Sequence, residues 1–296
     1  MILFTDKNMM DIYTILSNKI QEIKTSEILE FQIKVENRDE DIDYKAWIDL
    51  SQILFCKMLT PKINEKSSTL IMKFKKLNTE QSFHKESDNI EEKYGSTSTF
   101  STINKNNQPA FLVHYLKALE NVKIDTRIRI LNLGVNSGEE FEIIKKYSKN
   151  FKNLEFVGID YCSSAISEAK KNFDDENISF LVGDINHLEE LELGTFDLII
   201  SIGTLQSSNL DFNKVFMNIV QNYLKKEGAM ILGFPNCRWI DGEMIYGAMV
   251  KNYNFSELSL VFKDVMYCKK YLQQKKFRVT ITGKDYIFLT ATSIRK

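Results

Sequence analysis

The stretch Arg129-Ile-Leu-Asn-Leu-Gly-Val-Asn-Ser-Gly-Glu-Glu140 decides the fold, because it contains a strand, a turn and the start of a helix. Its apolar run up to Leu133 is typical of a strand buried on both faces, as in a parallel sheet. Gly134 ends that strand. From Gly138 onward, apolar residues recur with a helical period, and acids occupy the first turn, where the helix dipole favours them. Such a strand, turn and helix N-terminus form the place where open α/β sheets bind a ligand.

The glycine spacing disfavours a dinucleotide as that ligand. A dinucleotide fingerprint needs glycine at its first, third and sixth positions, so that the backbone can approach a pyrophosphate. Those positions are Gly134, Asn136 and Glu139 here, so two of the three required glycines are absent. A nicotinamide-dependent oxidoreductase is therefore disfavoured. Asn136 is still compatible with a tight turn, because asparagine tolerates the left-handed backbone conformation.

A carboxylate follows the next apolar strand. Residues 153–159 form that strand and end in Asp160, at the distance from Gly134 that one βαβ unit requires. A carboxylate there can accept hydrogen bonds from the ribose hydroxyls of a nucleoside. Every adenosine ligand has these ribose hydroxyls. Asp160 therefore predicts a nucleoside site but does not indicate which adenosine ligand binds there. Further strands at 178–182 and 196–201 lead to the same sheet edge.

These elements together resemble class I S-adenosylmethionine-dependent methyltransferases, over residues 108–296. The first motif of that family is an acid followed by three glycines at alternating positions, which reads here as Asn132, Gly134, Asn136 and Gly138. Asn136 replaces the middle glycine. Asn132 keeps an acceptor oxygen but lacks the negative charge that would favour the ammonium group of the methyl donor.

The resemblance implies a donor site and assigns its residues. Asp184 would meet the adenine amino group, and Ile185 would pack on the adenine ring. The implied donor-binding residues are Asn132, Gly134, Asn136, Gly138, Asp160, Tyr161, Gly183, Asp184, Ile185 and Ser201. The implied cofactor is S-adenosyl-L-methionine, with S-adenosyl-L-homocysteine as the product.

The resemblance also implies the architecture of the C-terminal region. It is a Rossmann-like α/β fold whose seven-stranded, mostly parallel sheet ends in an antiparallel hairpin. The sequence agrees, because apolar runs at 277–281 and 286–291 flank a Gly283-Lys284 turn. Such a closing hairpin distinguishes a methyltransferase sheet from a nicotinamide-binding one.

Residues 1–100 predict a small α/β accessory domain, followed by a polar, lid-like linker to residue 107. Hydrophobic periodicity predicts helices at 10–23 and 41–60 and strands at 28–35 and 69–74. Pro61 is the predicted end of the second helix. Substrate selection and homodimer formation are two functions that this domain could have, and a purely structural role is the alternative to both.

The resemblance implies methyl transfer to an oxygen or nitrogen atom. Such a transfer needs alignment and desolvation more than a strong catalytic group, so we assign no catalytic residue. An Asn-Pro-Pro-Tyr type motif after the fourth strand is absent, since Ser201-Ile-Gly-Thr204 stands there. This disfavours the amino groups of adenine and glutamine. We therefore expect a small-molecule acceptor, with RNA methylation or a non-catalytic scaffold carrying a degenerate donor pocket as alternatives.

An insertion after the strand at 228–234 is the predicted acceptor site. Arg238 could bind a carboxylate or phosphate, and aromatic side chains could form a wall around the acceptor. The predicted acceptor residues are Arg238, Trp239, Tyr246 and Tyr253. The alternative is a packed loop whose charges face water.

Composition narrows the function classes further. A formal charge of -1 gives no overall electrostatic reason to expect nucleic acid or a membrane as partner. The four cysteines have no paired spacing and only three histidines could join them, so we expect buried thiols and no metal site. No signal peptide or membrane-spanning run is evident, which predicts a cytoplasmic protein.

Overall fold

The computed structural model describes residues 2–5, 7–34, 42–64, 67–81, 103–207, 209–248 and 258–295. The boundary predicted at residue 100, most of the lid-like linker and Tyr253 lie outside these ranges. No helix in the described part of the chain is both long and apolar enough to cross a membrane.

The described residues alternate between strands and helices. In chain order they form β1 (Ile2–Phe4), α1 (Met9–Glu22), β2 (Ile28–Lys34), α2 (Tyr44–Ile53), β3 (Cys56–Asn64), β4 (Thr69–Lys76), α3 (Pro109–Asn121), β5 (Arg129–Leu133), α4 (Glu139–Tyr147), β6 (Glu155–Asp160), α5 (Ser163–Asn172), β7 (Ile178–Val182), β8 (Phe196–Ile202), α6 (Phe212–Asn218), β9 (Leu224–Pro235), β10 (Cys237–Ile240), β11 (Glu243–Tyr246), α7 (Leu258–Gln274), β12 (Phe277–Gly283) and β13 (Tyr286–Ser293). Short 3₁₀ or π turns connect several of them, including Lys105–Asn107 before α3.

The chain forms two compact units. The N-terminal unit combines Met1–Lys85 with Arg238–Tyr246, and the C-terminal unit combines Glu86–Cys237 with Gly247–Lys296. In the N-terminal unit a four-stranded sheet has the order β1-β2-β4-β3. Its core joins Phe31 of the sheet to Leu16 of α1 and Trp47 of α2. Each of these side chains is at most 3 % exposed, so one apolar cluster holds the sheet and both helices together.

The helix predicted over residues 41–60 is wrong in its second half. The helix ends at Ile53, and Phe55 adopts a left-handed φ of 52°, which turns the chain into β3. Strand β3 pairs antiparallel with β4, with a register irregularity between Leu59 and Lys62 where Pro61 lies. Because β3 is the edge strand, Pro61 lacks no essential sheet hydrogen bond there. Strand pairing outweighs the helical pattern of the apolar residues.

The C-terminal unit contains the predicted seven-stranded sheet, in the order β12-β13-β9-β8-β5-β6-β7. Strands β5 to β9 are parallel, whereas β13 is antiparallel to β9 and β12 is antiparallel to β13. Strand β5 lies between β8 and β6, so the strand order reverses there. The Rossmann-like α/β class, the strand number and the closing antiparallel hairpin are confirmed. The reversal marks the carboxyl end of β5 as the switch point where such sheets bind ligands.

Helices cover both faces of this sheet, as neighbouring residues of β13 show. The ring of Phe288 contacts Phe111 and Tyr115 of α3. The next residue, Leu289, belongs to a core cluster that includes Leu272 of α7. Because successive strand residues point to opposite faces, α3 and α7 lie on opposite sides of the sheet.

A two-stranded hairpin, β10 and β11, interrupts the C-terminal sequence but packs within the N-terminal unit. Asp241 and Gly242 form its turn with φ values of 50° and 77°. Two positive φ values in a two-residue turn, with the Asp-Gly pair, are typical of a type I′ hairpin. Ile240 and Ile245 pack with Leu77 of the same unit.

Candidate functional site

The turn after β5 adopts left-handed backbone conformations at alternating positions. The φ values are 75° at Gly134, 47° at Asn136 and 93° at Gly138. The turn is tied to the neighbouring strand, because the backbone N–H groups of Gly134 and Val135 both donate to Ile159 O, at 2.8 and 3.0 Å. Asparagine therefore replaces the middle glycine without changing the left-handed geometry of the turn.

Both glycines of this turn are required by close packing as well as by backbone conformation. A Cβ added at Gly134 would lie 1.9 Å from Thr204 Oγ1, and one at Gly138 would lie 2.5 Å from a ring carbon of Phe173. Side chains from after β8 and after α5 thus reach the turn from two directions. The turn is a rigid, closely packed element.

Asp160 lies in direct contact with the turn. Its Oδ2 accepts from the Asn136 backbone N–H at 2.9 Å, and its Oδ1 accepts from the Cys162 backbone N–H at 3.0 Å. The residue is 9 % exposed. Burial raises the pKa of Asp160 above its ordinary value, and the hydrogen bonds from the backbone oppose that rise. The glycine turn and this carboxylate, which the sequence predicted separately, are therefore in direct hydrogen-bond contact.

The remaining predicted donor residues lie at the carboxyl ends of neighbouring strands. After β7, Gly183 donates its backbone N–H to Asp160 O at 3.0 Å, and Asp184 Oδ1 accepts from the Asn186 backbone N–H at 2.8 Å. Ile185 is buried in the core beneath this edge. At the end of β8, Ser201 Oγ donates to Leu133 O at 3.3 Å. Tyr161, after β6, is 45 % exposed.

A buried ionic network lies beside the turn, and the sequence motifs did not predict it. Lys105 Nζ lies 2.8 Å from Glu140 Oε1 and 3.3 Å from Glu139 Oε2. Glu140 Oε2 accepts from Asn132 Nδ2 at 3.2 Å. Burial alone would lower the pKa of Lys105, but the two carboxylates outweigh it, and its pKa is raised. Burial raises the pKa of Glu139, and Lys105 opposes that rise.

One signal in the sequence could have identified Glu140. Asn132 stands where the family has an acid, and Glu140 follows in the first turn of the next helix. The acids of that turn were therefore readable as candidates, and only the structure shows that Glu140, among Glu139, Glu140 and Glu142, is hydrogen-bonded to Asn132. Lys105 gave no such signal, because only the folded chain brings it beside α4.

Three of the four predicted acceptor residues, Arg238, Trp239 and Tyr246, lie in the hairpin of the N-terminal unit. Arg238 and Trp239 are 5 % and 7 % exposed, and the Arg238 guanidinium carbon lies 5.3 Å from the centroid of the Phe55 ring. Burial lowers the pKa of Arg238. Tyr246 is 53 % exposed. Their assignment to an acceptor site stays a prediction.

Burial of the cysteine side chains raises the pKa of several of their thiols. All four cysteines are buried and unpaired. Burial raises the pKa of Cys56 to about 12 and that of Cys237 to about 12. Among the described residues, no group of three or more histidine, cysteine, aspartate or glutamate side chains is close enough to hold a metal ion.

Comparison with known proteins identifies the family of the chain. A family model described as a methyltransferase domain matches residues 124–281, which is more than half of the chain. No curated protein matches the sequence.

Several solved structures are similar to this one. The plantazolicin methyltransferase BpumL, in complex with S-adenosylhomocysteine, has a TM-score of 0.47 at 14 % identity, over 69 % of this chain and 93 % of that one. A fibrillarin pre-rRNA processing protein from Methanococcus jannaschii has a TM-score of 0.41 at 15 % identity, over 62 % and 76 %. A putative caffeoyl-CoA O-methyltransferase from Staphylococcus aureus has a TM-score of 0.42 at 14 % identity, over 61 % and 83 %.

The matched segment contains β5, the glycine turn, Asp160 and the ends of β7 and β8, which together form the site described above. The chain therefore belongs to the methyltransferase domain family, with the class I, Rossmann-like sheet that its motifs predicted.

Proposed function

We propose that this protein transfers the methyl group of S-adenosylmethionine to an oxygen or nitrogen atom of a small-molecule acceptor. The observation that carries the proposal is the contact between the left-handed turn and Asp160, whose Oδ2 lies 2.9 Å from the backbone nitrogen of Asn136. A helix N-terminus, a turn rich in backbone N–H groups and a carboxylate thereby meet at the switch point of the sheet.

The residues at this edge fit the chemistry of the donor. Asp160 has acceptor capacity beyond its backbone contacts and would accept a ribose hydroxyl, while Asp184 would accept from the adenine amino group. The backbone of Gly134, Asn136 and Gly138 would follow the donor closely. The Oδ1 atom of Asn132, buried and without a hydrogen-bond partner among the described residues, is an acceptor that a cationic ligand group could satisfy.

When bound, S-adenosylmethionine supplies an electrophilic methyl carbon on a positively charged sulfur, and its transfer leaves S-adenosylhomocysteine. The chain contributes orientation and exclusion of water, which is what an in-line displacement needs most. We assign no residue as a base. Arg238, Trp239, Tyr246 and Tyr253 remain our proposal for the acceptor contacts.

Two features favour a small-molecule acceptor. The chain at the end of β8 reads Ser201-Ile-Gly-Thr204, without the motif of base-modifying amino-group methyltransferases. In the N-terminal unit, Lys73 pairs with Glu30, and Lys76 Nζ donates to the backbone carbonyls of Ile20 and Ile23, each at 2.7 Å. Lys73 and Lys76 are therefore engaged within their own unit, which makes them less available to a nucleic-acid backbone. The unpaired, buried thiols are consistent with a reducing compartment, and we propose a cytoplasmic location.

Calorimetry with S-adenosylhomocysteine tests the donor site. We expect the wild type to bind, and Asp160→Asn to weaken binding by about 10-fold or more, because a hydrogen bond to a charged group is lost. Asp174→Asn, at an exposed position in the same unit, is the matched control and should bind like the wild type. Absence of binding by the wild type would leave the scaffold alternative.

A methylation screen then identifies the acceptor. The protein and radiolabelled S-adenosylmethionine are incubated with a cell extract separated into small-molecule, RNA and protein fractions. We expect label in the small-molecule fraction, at a level that Asp160→Asn reduces. Label confined to RNA or protein would contradict the proposed acceptor class while leaving methyl transfer intact.

RNA methylation is the second candidate, because the C-terminal unit has a basic groove. A groove of about 540 Å³ is lined by the basic residues Lys123, Arg127, Arg278 and Arg295 and by the carboxylate of Glu227. This groove lies at the amino ends of β5, β8 and β9, opposite the proposed donor edge, so a bound RNA would have to extend from one edge to the other. Four positive charges against one negative charge, with threonine hydroxyls between them, suit the phosphates of a nucleic-acid backbone.

Two of these basic side chains are held in place and two are available. Arg127 Nε donates to Val122 O at 2.7 Å, and Arg295 Nη2 donates to Lys275 O at 2.9 Å. Lys123 and Arg278 are exposed, and their side chains make no hydrogen bond or ion pair with any other residue that the structure describes.

A charge-reversal pair tests the RNA alternative. If RNA is the acceptor, K123E/R278E should reduce labelling of the RNA fraction by about 10-fold or more, with the loss growing at higher salt. K149E/K152E, which reverses two exposed lysines outside the groove, is the control. Equal RNA labelling by both variants would remove the groove as support for this candidate.

A further inference from the structure

Asn132 carries a buried acceptor, without a partner among the described residues, next to the turn of the proposed donor site. It is the penultimate residue of β5 and is fully buried, and its Oδ1 has no hydrogen-bond partner among the described residues. Leaving a buried polar atom unpaired is unfavourable, and most buried polar atoms in folded proteins have a hydrogen-bond partner. The atom belongs to the residue that stands where the family has an acid.

The orientation of this amide is determined by Glu140. Asn132 Nδ2 donates to Glu140 Oε2 at 3.2 Å. Rotating the amide by half a turn would bring Asn132 Oδ1 against that carboxylate, so that two acceptors would face each other. Glu140 therefore holds the amide with its oxygen directed away from α4. Because the amide is held in this orientation, its Oδ1 atom has no hydrogen-bond partner among the described residues.

Lys105 in turn holds Glu140. The Lys105 Nζ to Glu140 Oε1 distance is 2.8 Å, and the two side chains are 7 % and 2 % exposed. Lys105 also lies 3.3 Å from Glu139 Oε2. One lysine therefore faces two carboxylates, and the cluster has a formal charge of -1. Excess negative charge in a buried cluster favours binding of a cation nearby.

We propose that Glu140 and Lys105 are positioning residues that present Asn132 Oδ1 to the ammonium group of the methyl donor. An amide that donates to a carboxylate has a more polarised carbonyl oxygen, because hydrogen bonds in a chain reinforce one another. Position 132 itself has no negative charge. The carboxylate of Glu140 supplies that charge indirectly, through its hydrogen bond with the Asn132 amide. This inference rests on the proposed function and adds to it a recognition element for the amino-acid end of the donor.

Two ligands that differ only at that end provide the test. S-adenosylhomocysteine has the ammonium group, whereas 5′-methylthioadenosine keeps the adenosine and the thioether but lacks the amino acid. Calorimetry on the full chain measures both. We expect Glu140→Gln to weaken S-adenosylhomocysteine binding about 10-fold, since a charge-assisted contact is lost, and to change 5′-methylthioadenosine binding by less than about twofold.

The control is Glu142→Gln, the same substitution on the same helix, where Glu142 pairs with Lys146 at the surface. It should change the affinity of neither ligand. If Glu140→Gln weakens both ligands equally, or neither, the positioning role is overturned. If the wild type binds neither ligand, the proposed function itself fails, and this inference fails with it.

A charge exchange separates positioning from simple stabilisation. In the double variant N132D/E140Q the carboxylate and the amide change places, so the hydrogen bond between them and the net charge are kept. We expect this variant to recover S-adenosylhomocysteine affinity to within about threefold of the wild type, because the carboxylate then acts directly. Thermal unfolding accompanies each measurement. A folded double variant that binds S-adenosylhomocysteine no better than E140Q would overturn the inference.

Discussion

Lys105 with Glu140 in the C-terminal unit, and Lys57 with Glu243 in the N-terminal unit, are both lysine–glutamate pairs that join distant parts of the sequence. They differ in burial. The side chains of the first pair are 7 % and 2 % exposed, whereas those of the second are 47 % and 32 % exposed. Water screens the second pair and does not reach the first.

The two pairs also differ in their surroundings. In the C-terminal unit the pair lies beside the turn after β5, and Glu140 accepts a hydrogen bond from the amide of Asn132. In the N-terminal unit the pair accompanies an apolar contact between Ile245 and Leu77, which already holds the hairpin. We therefore expect the buried pair to contribute more to stability and to the proposed donor site than the exposed pair.

The largest expected effect comes from breaking the buried pair. Lys105→Met leaves Glu140 buried without a compensating charge, which should lower the free energy of unfolding by about 3–5 kcal/mol. Urea denaturation at pH 7 measures the change. Lys117→Met, in the exposed pair with Glu120, is the control and should unfold like the wild type. A loss below about 1 kcal/mol in Lys105→Met would show that the pair is solvated.

Two glycines with similar backbone conformation provide the next comparison. Gly134 and Gly242 have φ values of 75° and 77°, but a Cβ would lie 1.9 Å from Thr204 Oγ1 at the first and meets nothing within 4 Å at the second. Gly134→Ala should lower the free energy of unfolding by about 2–4 kcal/mol, from backbone strain and overpacking together. Gly242→Ala should cost only the strain, about 1 kcal/mol.

Adding Thr204→Ala to the Gly134 variant isolates the steric part. The double variant G134A/T204A should recover some of the lost stability, because the hydroxyl that the new methyl group meets is gone. Equal losses in the two single glycine variants would mean that packing around the turn contributes nothing.

Donor affinity should depend on pH through Asp160. Burial raises the pKa of Asp160 above the ordinary 3.8, and the ionised carboxylate is the form that accepts hydrogen bonds. Affinity for S-adenosylhomocysteine should therefore be full above the raised pKa and fall by about 10-fold as the pH drops through it. Asp160→Asn should bind weakly and show no such dependence. A midpoint at or below 3.8 in the wild type would contradict the role of burial.

The smallest effect should come from the exposed pair. Glu243→Gln should lower the free energy of unfolding by about 0.5 kcal/mol or less, because exposed pairs are screened and lose side-chain entropy. Urea denaturation in low and high salt tests this, and the difference from the wild type should shrink further at high salt. A loss comparable to that of Lys105→Met would remove the distinction between the two pairs.

The predictable part of this fold follows from local patterns. The buried run before Gly134, the acid after the next strand and the closing hairpin each depend on neighbouring residues, so the parallel sheet and the place of its ligand edge could be predicted. The end of α2 could not be predicted from the sequence. Residues 56–64 form a strand that pairs with β4, although the apolar residues up to Met58 have helical spacing. The Asp241-Gly242 pair in the sequence indicates the β10–β11 hairpin. Nothing in the sequence indicates that this hairpin packs within the N-terminal unit.

By itself the sequence determined the class of the protein: a left-handed turn between a buried strand and a helix, and a carboxylate one βαβ unit later, are local requirements that residue type enforces. Only the tertiary structure decided that Lys105 would be buried against Glu140, and that the oxygen of Asn132 would be buried without a hydrogen-bond partner in the described part of the chain. The physical reason is that backbone conformation and hydrophobic period are properties of short segments. A desolvated charge, in contrast, depends on which distant residues exclude water from it.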